Sequence, residues 1–165
     1  MEGYVPEGGY NQQFHGQAAP SYNIRVTDRI SFNENHPFLE DFIFLKEKVG
    51  DDKNTIAKAS VPSPNMILRQ ELLANDGTTK IYEIYPDLKD FYHDLAQTYN
   101  DVIKAYYEKG CRYLQFDDTN WAFLADADKR KALQEQGIDP KNIARICTEI
   151  INEALEEKPK DLTLT

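Results

Sequence analysis

Short apolar runs alternate with helical stripes from residue 22 to the end of this chain, and that alternation limits its fold more than any other feature. Tyr22, Ile24, Val26, Ile30 and Phe32 fall on even positions, with Asn23, Arg25, Thr27 and Arg29 between them. That period of two predicts a strand with one wetter face. Asn35-His36-Pro37 then opens a helix, because the missing N–H of proline is no loss at the first helical position. Phe38, Phe42, Leu45 and Val49 form its stripe and Gly50 stops it. After a polar turn at 51–54, residues 55–61 read as a second strand. It runs into Pro62-Ser63-Pro64, where two prolines end the ladder in a stiff turn. Residues 65–84 read as irregular, with a turn at Asn75-Asp76-Gly77 and a short strand or extended loop near Ile81.

The longest helix begins at Pro86-Asp87 and carries Leu88, Phe91, Leu95, Tyr99, Val102, Ile103 and Tyr106 at helical spacing until Lys109-Gly110. A third strand follows at 112–117, then a helix over 122–136. Another helix starts at Asp139-Pro140, with Asp139 as N-cap. Residues 161–165 look like the opening of a further strand. Strands that alternate with helices imply parallel pairing and right-handed crossovers. No Gly-x-Gly-x-x-Gly or Walker loop is present, which disfavours the nucleotide-binding doubly wound folds. The expected fold is therefore α/β, a partial (β/α)8 TIM barrel of roughly three β/α units plus the start of another strand. Residues 1–21, rich in Gly, Tyr, Gln and Pro, are expected to be a loop or tail; residues 22–165 form the partial-barrel domain. The unpaired strand edges of such a fragment call for cover, by a second copy of the chain or by a complementing chain.

A net charge of -9 argues against nucleic acid and against an anionic membrane surface. No apolar run approaches the length that spans a bilayer, and residues 1–20 lack the basic and apolar regions of a secretion signal. A cytoplasmic protein is expected. Cys111 and Cys147 read as reduced structural thiols rather than a disulfide framework. His15, His36 and His93 lie far apart in sequence and read as a loop, a helix-start and an exposed helical residue, with no zinc spacing.

The third strand carries the candidate chemistry. Tyr113, Gln115 and Asp117 share one face; Leu114, Phe116 and Asp118 share the other. Leu114 and Phe116 suit packing against helices, which turns Gln115 and Asp117 into the barrel, with Asp117 at the C-terminal strand end where barrel active sites sit. A carboxylate there can bind a substrate ammonium, ligate a metal or act as a base. The alternative is that Asp117 or Asp118 only caps the next helix. Ser63, in its turn at another strand end, either donates a hydrogen bond to substrate or shapes the turn. A sugar- or acid-binding enzyme that uses Asp117 and Asp118 with a divalent metal is a weaker alternative.

Val61-Pro62-Ser63-Pro64, then Tyr85-Pro86-Asp87-Leu88 opening a long helix, then Gly110-Cys111-Arg112-Tyr113-Leu114-Gln115-Phe116-Asp117-Asp118-Thr119 resemble one known group. It comprises the short, single-barrel relatives of the catalytic domain of cobalamin-independent methionine synthase, often called homocysteine-methyltransferase-like. The resemblance runs from about Arg25 to the last residue and is most specific at 113–119. It implies transfer of a methyl group from a methylated folate to the thiol of homocysteine, with zinc holding that thiol as thiolate. It also implies that Asp117 matches the Asp that holds the homocysteine amino group, and that Gln115 matches the family Gln. The turn containing Ser63 matches a turn near the folate site. Asp118 and Thr119 stand where the synthase has Glu and Pro, a departure that bears on substrate. The family's zinc ligands, a His/Cys pair, a Glu and a second Cys, come from later strands. The resemblance thus implies a fragment of a methyltransferase, inactive alone, whose parent takes a small-molecule thiol.

Overall fold

A computed structural model describes residues 1–14, 17–72 and 80–165 of the chain. His15 and the Asn75-Asp76-Gly77 turn lie outside the described residues. Strands β1 (Glu2–Phe14) and β2 (Gln17–Ser31) form an antiparallel pair. Within residues 1–21, expected to be a loop or tail, 2–14 and 17–21 are therefore paired strand. The strand expected at 22–32 is the second arm of this hairpin and takes no part in the parallel sheet. Side chains, not a neighbouring strand, engage backbone groups of β2 that point into the protein. The N–H of Val26 donates to Glu71 Oε1 at 3.0 Å, and that of Ile30 to the Tyr85 hydroxyl at 2.8 Å.

The parallel sheet has the order β3-β4-β5, from β3 (Lys58–Pro62), β4 (Tyr113–Asp117) and β5 (Thr163–Leu164). Its register sets Lys58 beside Tyr113, Ser60 beside Gln115, Pro62 beside Asp117, and Tyr113 beside Thr163. The predicted strand at 55–61 thus begins three residues later than expected. The sheet is open. Two β/α crossovers lie within it rather than the three expected, because the first strand belongs to the hairpin.

Helix α1 (Pro37–Val49) starts where expected, and His36 Nδ1 accepts the N–H of Phe38 as a cap. Its buried face is Leu39 and Phe42, whereas Phe38 and Leu45 of the expected stripe are exposed. The stretch expected to be irregular after Ser63 is helix α2 (Pro64–Leu72). Ser63 Oγ accepts the N–H of Asn65 at 3.2 Å, and Pro64 occupies the first turn, so serine and proline start a helix here rather than only ending a strand. A single helical turn, α3 (Ile81–Ile84), replaces the expected strand or loop.

Helix α4 (Leu88–Glu108) matches expectation at both ends, with Asp87 accepting the N–H of Lys89. Gly110 follows it with φ +91°, a conformation that disfavours side chains. The expected helix at 122–136 is two, α5 (Asn120–Ala125) and α6 (Ala127–Glu135). Asp126 separates them and accepts the N–H groups of Asp128 and Lys129, a fresh N-cap. Helix α7 (Pro140–Ala154), capped by Asp139, leads back to β5.

The helices cover one face of the sheet. Ala59, Val61 and Leu114 pack with Leu39, Phe42, Ile103 and Tyr106 in one buried cluster. Phe116 meets Tyr99 edge-on, with ring centroids 5.4 Å apart. Val26, Ile30, Leu95, Ile146 and Ile150 belong to a second cluster between the hairpin base, α4 and α7. Lys58, Ser60, Pro62 and Asp117 are exposed on the other face.

Candidate functional site at the strand ends

Parallel pairing brings the C-terminal ends of β3 and β4 together. The N–H of Ser63 donates to the carbonyl of Asp117 at 3.0 Å, so the chain leaving β3 is pinned to the last residue of β4. Leu114 is fully buried toward the helices, and alternation turns Gln115 and Asp117 to the uncovered face. Asp117 is exposed, and its carboxylate has no hydrogen-bond or ion-pair partner among the described residues. Gln115 is half-buried, and its Oε1 accepts from Lys58 Nζ at 2.5 Å.

Asp118 faces the other way and anchors a polar cluster. Its Oδ2 accepts from Ser63 Oγ at 2.9 Å and from Asn65 Nδ2 at 2.7 Å; its Oδ1 accepts the N–H of Asn120 at 2.9 Å. One carboxylate therefore ties the end of β3, the first turn of α2 and the first turn of α5. Ser63 is fully buried and its hydroxyl proton is committed to Asp118. The structure thus brings Asp117 and Ser63 together through the backbone, while the Ser63 side chain serves the neighbouring acid. Asp118, considered in the sequence as a helix cap, lies one residue before the N-cap Thr119 and accepts the first helical N–H of α5.

Asn120 Nδ2 donates to Cys147 Sγ at 3.3 Å. Burial, and then the charge of Asp118, push the Cys147 thiol up to about 11. It is a neutral packing group at ordinary pH, not a nucleophile. Burial also raises the Cys111 thiol. The amide oxygens of Asn65 and Asn120 are buried without a hydrogen-bond partner. Sequence reasoning missed Lys58, Asn65 and Asn120. Lys58 lies on the same alternating face as Ser60, a pattern legible once the strand is placed. The two asparagines carry no local pattern that marks them.

An apolar cleft of about 540 Å³ opens on the helix side, lined by Phe32, Leu39, Met66 and Tyr99 among others. Neither Asp117 nor Gln115 lines it. Zinc requires three or four converging donors. Among the described residues no three His, Cys, Asp or Glu side chains are placed to hold a metal. No helix among the described residues is long and apolar enough to cross a membrane.

These features define an α/β protein that presents one unpartnered acid at the end of a parallel strand. The chain is similar to a solved structure from Listeria monocytogenes, the "Putative Vitamin-B12 Independent Methionine Synthase", at 39% identity and a TM-score of 0.70. That likeness covers 86% of this chain and 39% of the Listeria chain. The chain is also 38% identical to YxjH and 36% identical to YxjG, both uncharacterized proteins of Bacillus subtilis, over its whole length. It spans 40% of the length of each. No known family profile matches the chain.

Proposed function

We propose that this chain supplies the acceptor-binding wall of a methionine-synthase-like methyltransferase. In this reading the whole protein moves a methyl group from a methylated folate to the thiol of homocysteine, and the chain is part of a (β/α)8 barrel. Asp117 accepts the ammonium of the amino acid, Gln115 lies beside it, and Ser63 acts through Asp118 to hold the strand end. The observation that carries the proposal is the unpartnered Asp117 at the C-terminal end of a parallel strand. Likeness to the Listeria protein supports it. The described donor set does not fit zinc. In this reading thiol activation falls to segments of the whole protein other than this chain.

Titration of the labelled chain with homocysteine, followed by amide NMR, tests the ammonium site. Shifts are expected at residues 115–119 and 61–65, and D117N should weaken binding by about fivefold, the size one exposed ion pair supports. Shifts elsewhere, or equal binding by D117N, would overturn it.

A second reading, a non-catalytic half-barrel that pairs with itself or a complementing chain, draws support from Phe38, Leu45 and Ile56, which are exposed near the free edge of β3. Its mass in solution separates the two readings.

A further inference from the structure

The cleft on the helix side of the sheet differs in chemistry from the acids at the strand ends. Its volume, about 540 Å³, falls within the range of about 300–1,000 Å³ in which small-molecule sites lie. Phe32 just after β2, Phe38 of α1, Met66 of α2, and Tyr99 and Tyr106 of α4 all line it. Rings and a thioether from four segments favour a flat aromatic guest, which such groups contact by edge or face. Among the described residues no Asp, Glu, Lys or Arg side chain lines the cleft. An ionised guest would lose its hydration there without a side-chain counter-charge, so a neutral one is favoured.

Tyr106 is the polar exception. It is 5% exposed, yet its hydroxyl has no hydrogen-bond partner among the described residues. Its ring stands edge-on to Phe42, with centroids 5.7 Å apart. The other hydroxyls of the lining are committed: Tyr99 donates to the carbonyl of Pro62 at 2.7 Å, and Thr98 to that of Asp94 at 2.7 Å. Burial lifts the Tyr106 phenol above its usual value, so it keeps its proton and can donate. A buried hydroxyl without a partner is costly, and an acceptor on a guest removes that cost. Tyr106 and Phe38 also wall a groove of about 170 Å³ beside Asp41, whose charge disfavours an anion there. We propose that the cleft binds an uncharged, flat aromatic molecule whose acceptor atom takes the hydrogen bond of the Tyr106 hydroxyl. The inference does not rest on the methyl-transfer reading, since methylated folate and homocysteine both carry carboxylates for which the lining has no counter-charge.

Fluorescence titration of the full chain with prodan, a neutral naphthalene ketone whose emission shifts to the blue in apolar surroundings, tests it. One saturable site is expected. 2-Acetylnaphthalene should displace the probe, whereas 2-naphthoate, its carboxylate counterpart, and folic acid should not. Y106F should weaken 2-acetylnaphthalene by about fivefold, the size of one net hydrogen bond, and leave 2-ethylnaphthalene, which has no acceptor, unchanged. V102W, which places an indole in the cleft from α4, should weaken all three neutral ligands, and far-ultraviolet circular dichroism checks that it folds. Displacement by folic acid, unaltered binding in folded V102W, or equal affinity of 2-acetylnaphthalene for Y106F and the unmodified chain would overturn the proposal. So would the lack of a saturable site, and a dimer in sedimentation would then identify a second copy as what covers the cleft.

Discussion

Asp117 and Asp118 are neighbours in sequence with opposite structural duties. Asp118 satisfies three donors from three segments, one of them the buried amide of Asn65. D118A strips the acceptor from all three, and unpaired buried donors cost about 1–3 kcal/mol each at most. A loss of about 3 kcal/mol in urea denaturation is expected for D118A, against less than about 0.5 kcal/mol for D117N, whose carboxylate is exposed and unbonded. Equal losses would mean that Asp118 is not the brace. Cys147 adds a pH signature. Burial lifts its thiol from 9.0 to about 11, so between those values the unfolded chain gives up a proton that the folded chain keeps. That stabilisation is complete below pH 9 and fades as pH climbs toward 11. Tyr85, raised from 10.0 to about 12 chiefly by burial, acts in the same direction. Urea midpoints should fall from pH 9 upward, and C147A should flatten the first part of that fall. An unchanged slope in C147A would show that the thiol is not its source.

Among the elements, the helices were the most legible. His36, Asp87 and Asp139 each cap a helix through the local bond their residue type suggests. Helix α2 was hidden because Ser63 sits between two prolines, and the strand-ending role of proline masked its helix-starting role. The fate of β2 was not legible at all. A period of two gives the wet and dry faces of a strand but not the direction of its partner, and its inward N–H groups bond side chains 45 and 55 residues away. At the site, Asp117 and Gln115 were placed by alternation alone. The Asp118 cluster was not, because its donors come from segments that only the fold brings together. The Tyr85 hydroxyl also donates to Asp94 at 3.0 Å, so it links the hairpin to α4. Y85F should speed hydrogen exchange at the Ile30 amide and leave the α7 amides unchanged. Uniform acceleration would indicate general destabilisation instead.

At the scale of the whole molecule, the sheet is finished on one side only. Its helix-facing side is dry, and the free edge of β3 is flanked by exposed Phe38 and Leu45. If that edge is where copies meet, sedimentation should show mass rising with concentration, and the double substitution F38K with L45K should abolish the rise. A monomer at every concentration would end the self-assembly reading. The opposite side displays an ammonium, hydroxyls, an amide and a carboxylate in place of hydrocarbon. Whatever settles there displaces water from polar groups rather than from hydrocarbon. Its arrival should therefore leave the heat capacity almost unaltered, the thermal mark of recognition by charge rather than by grease.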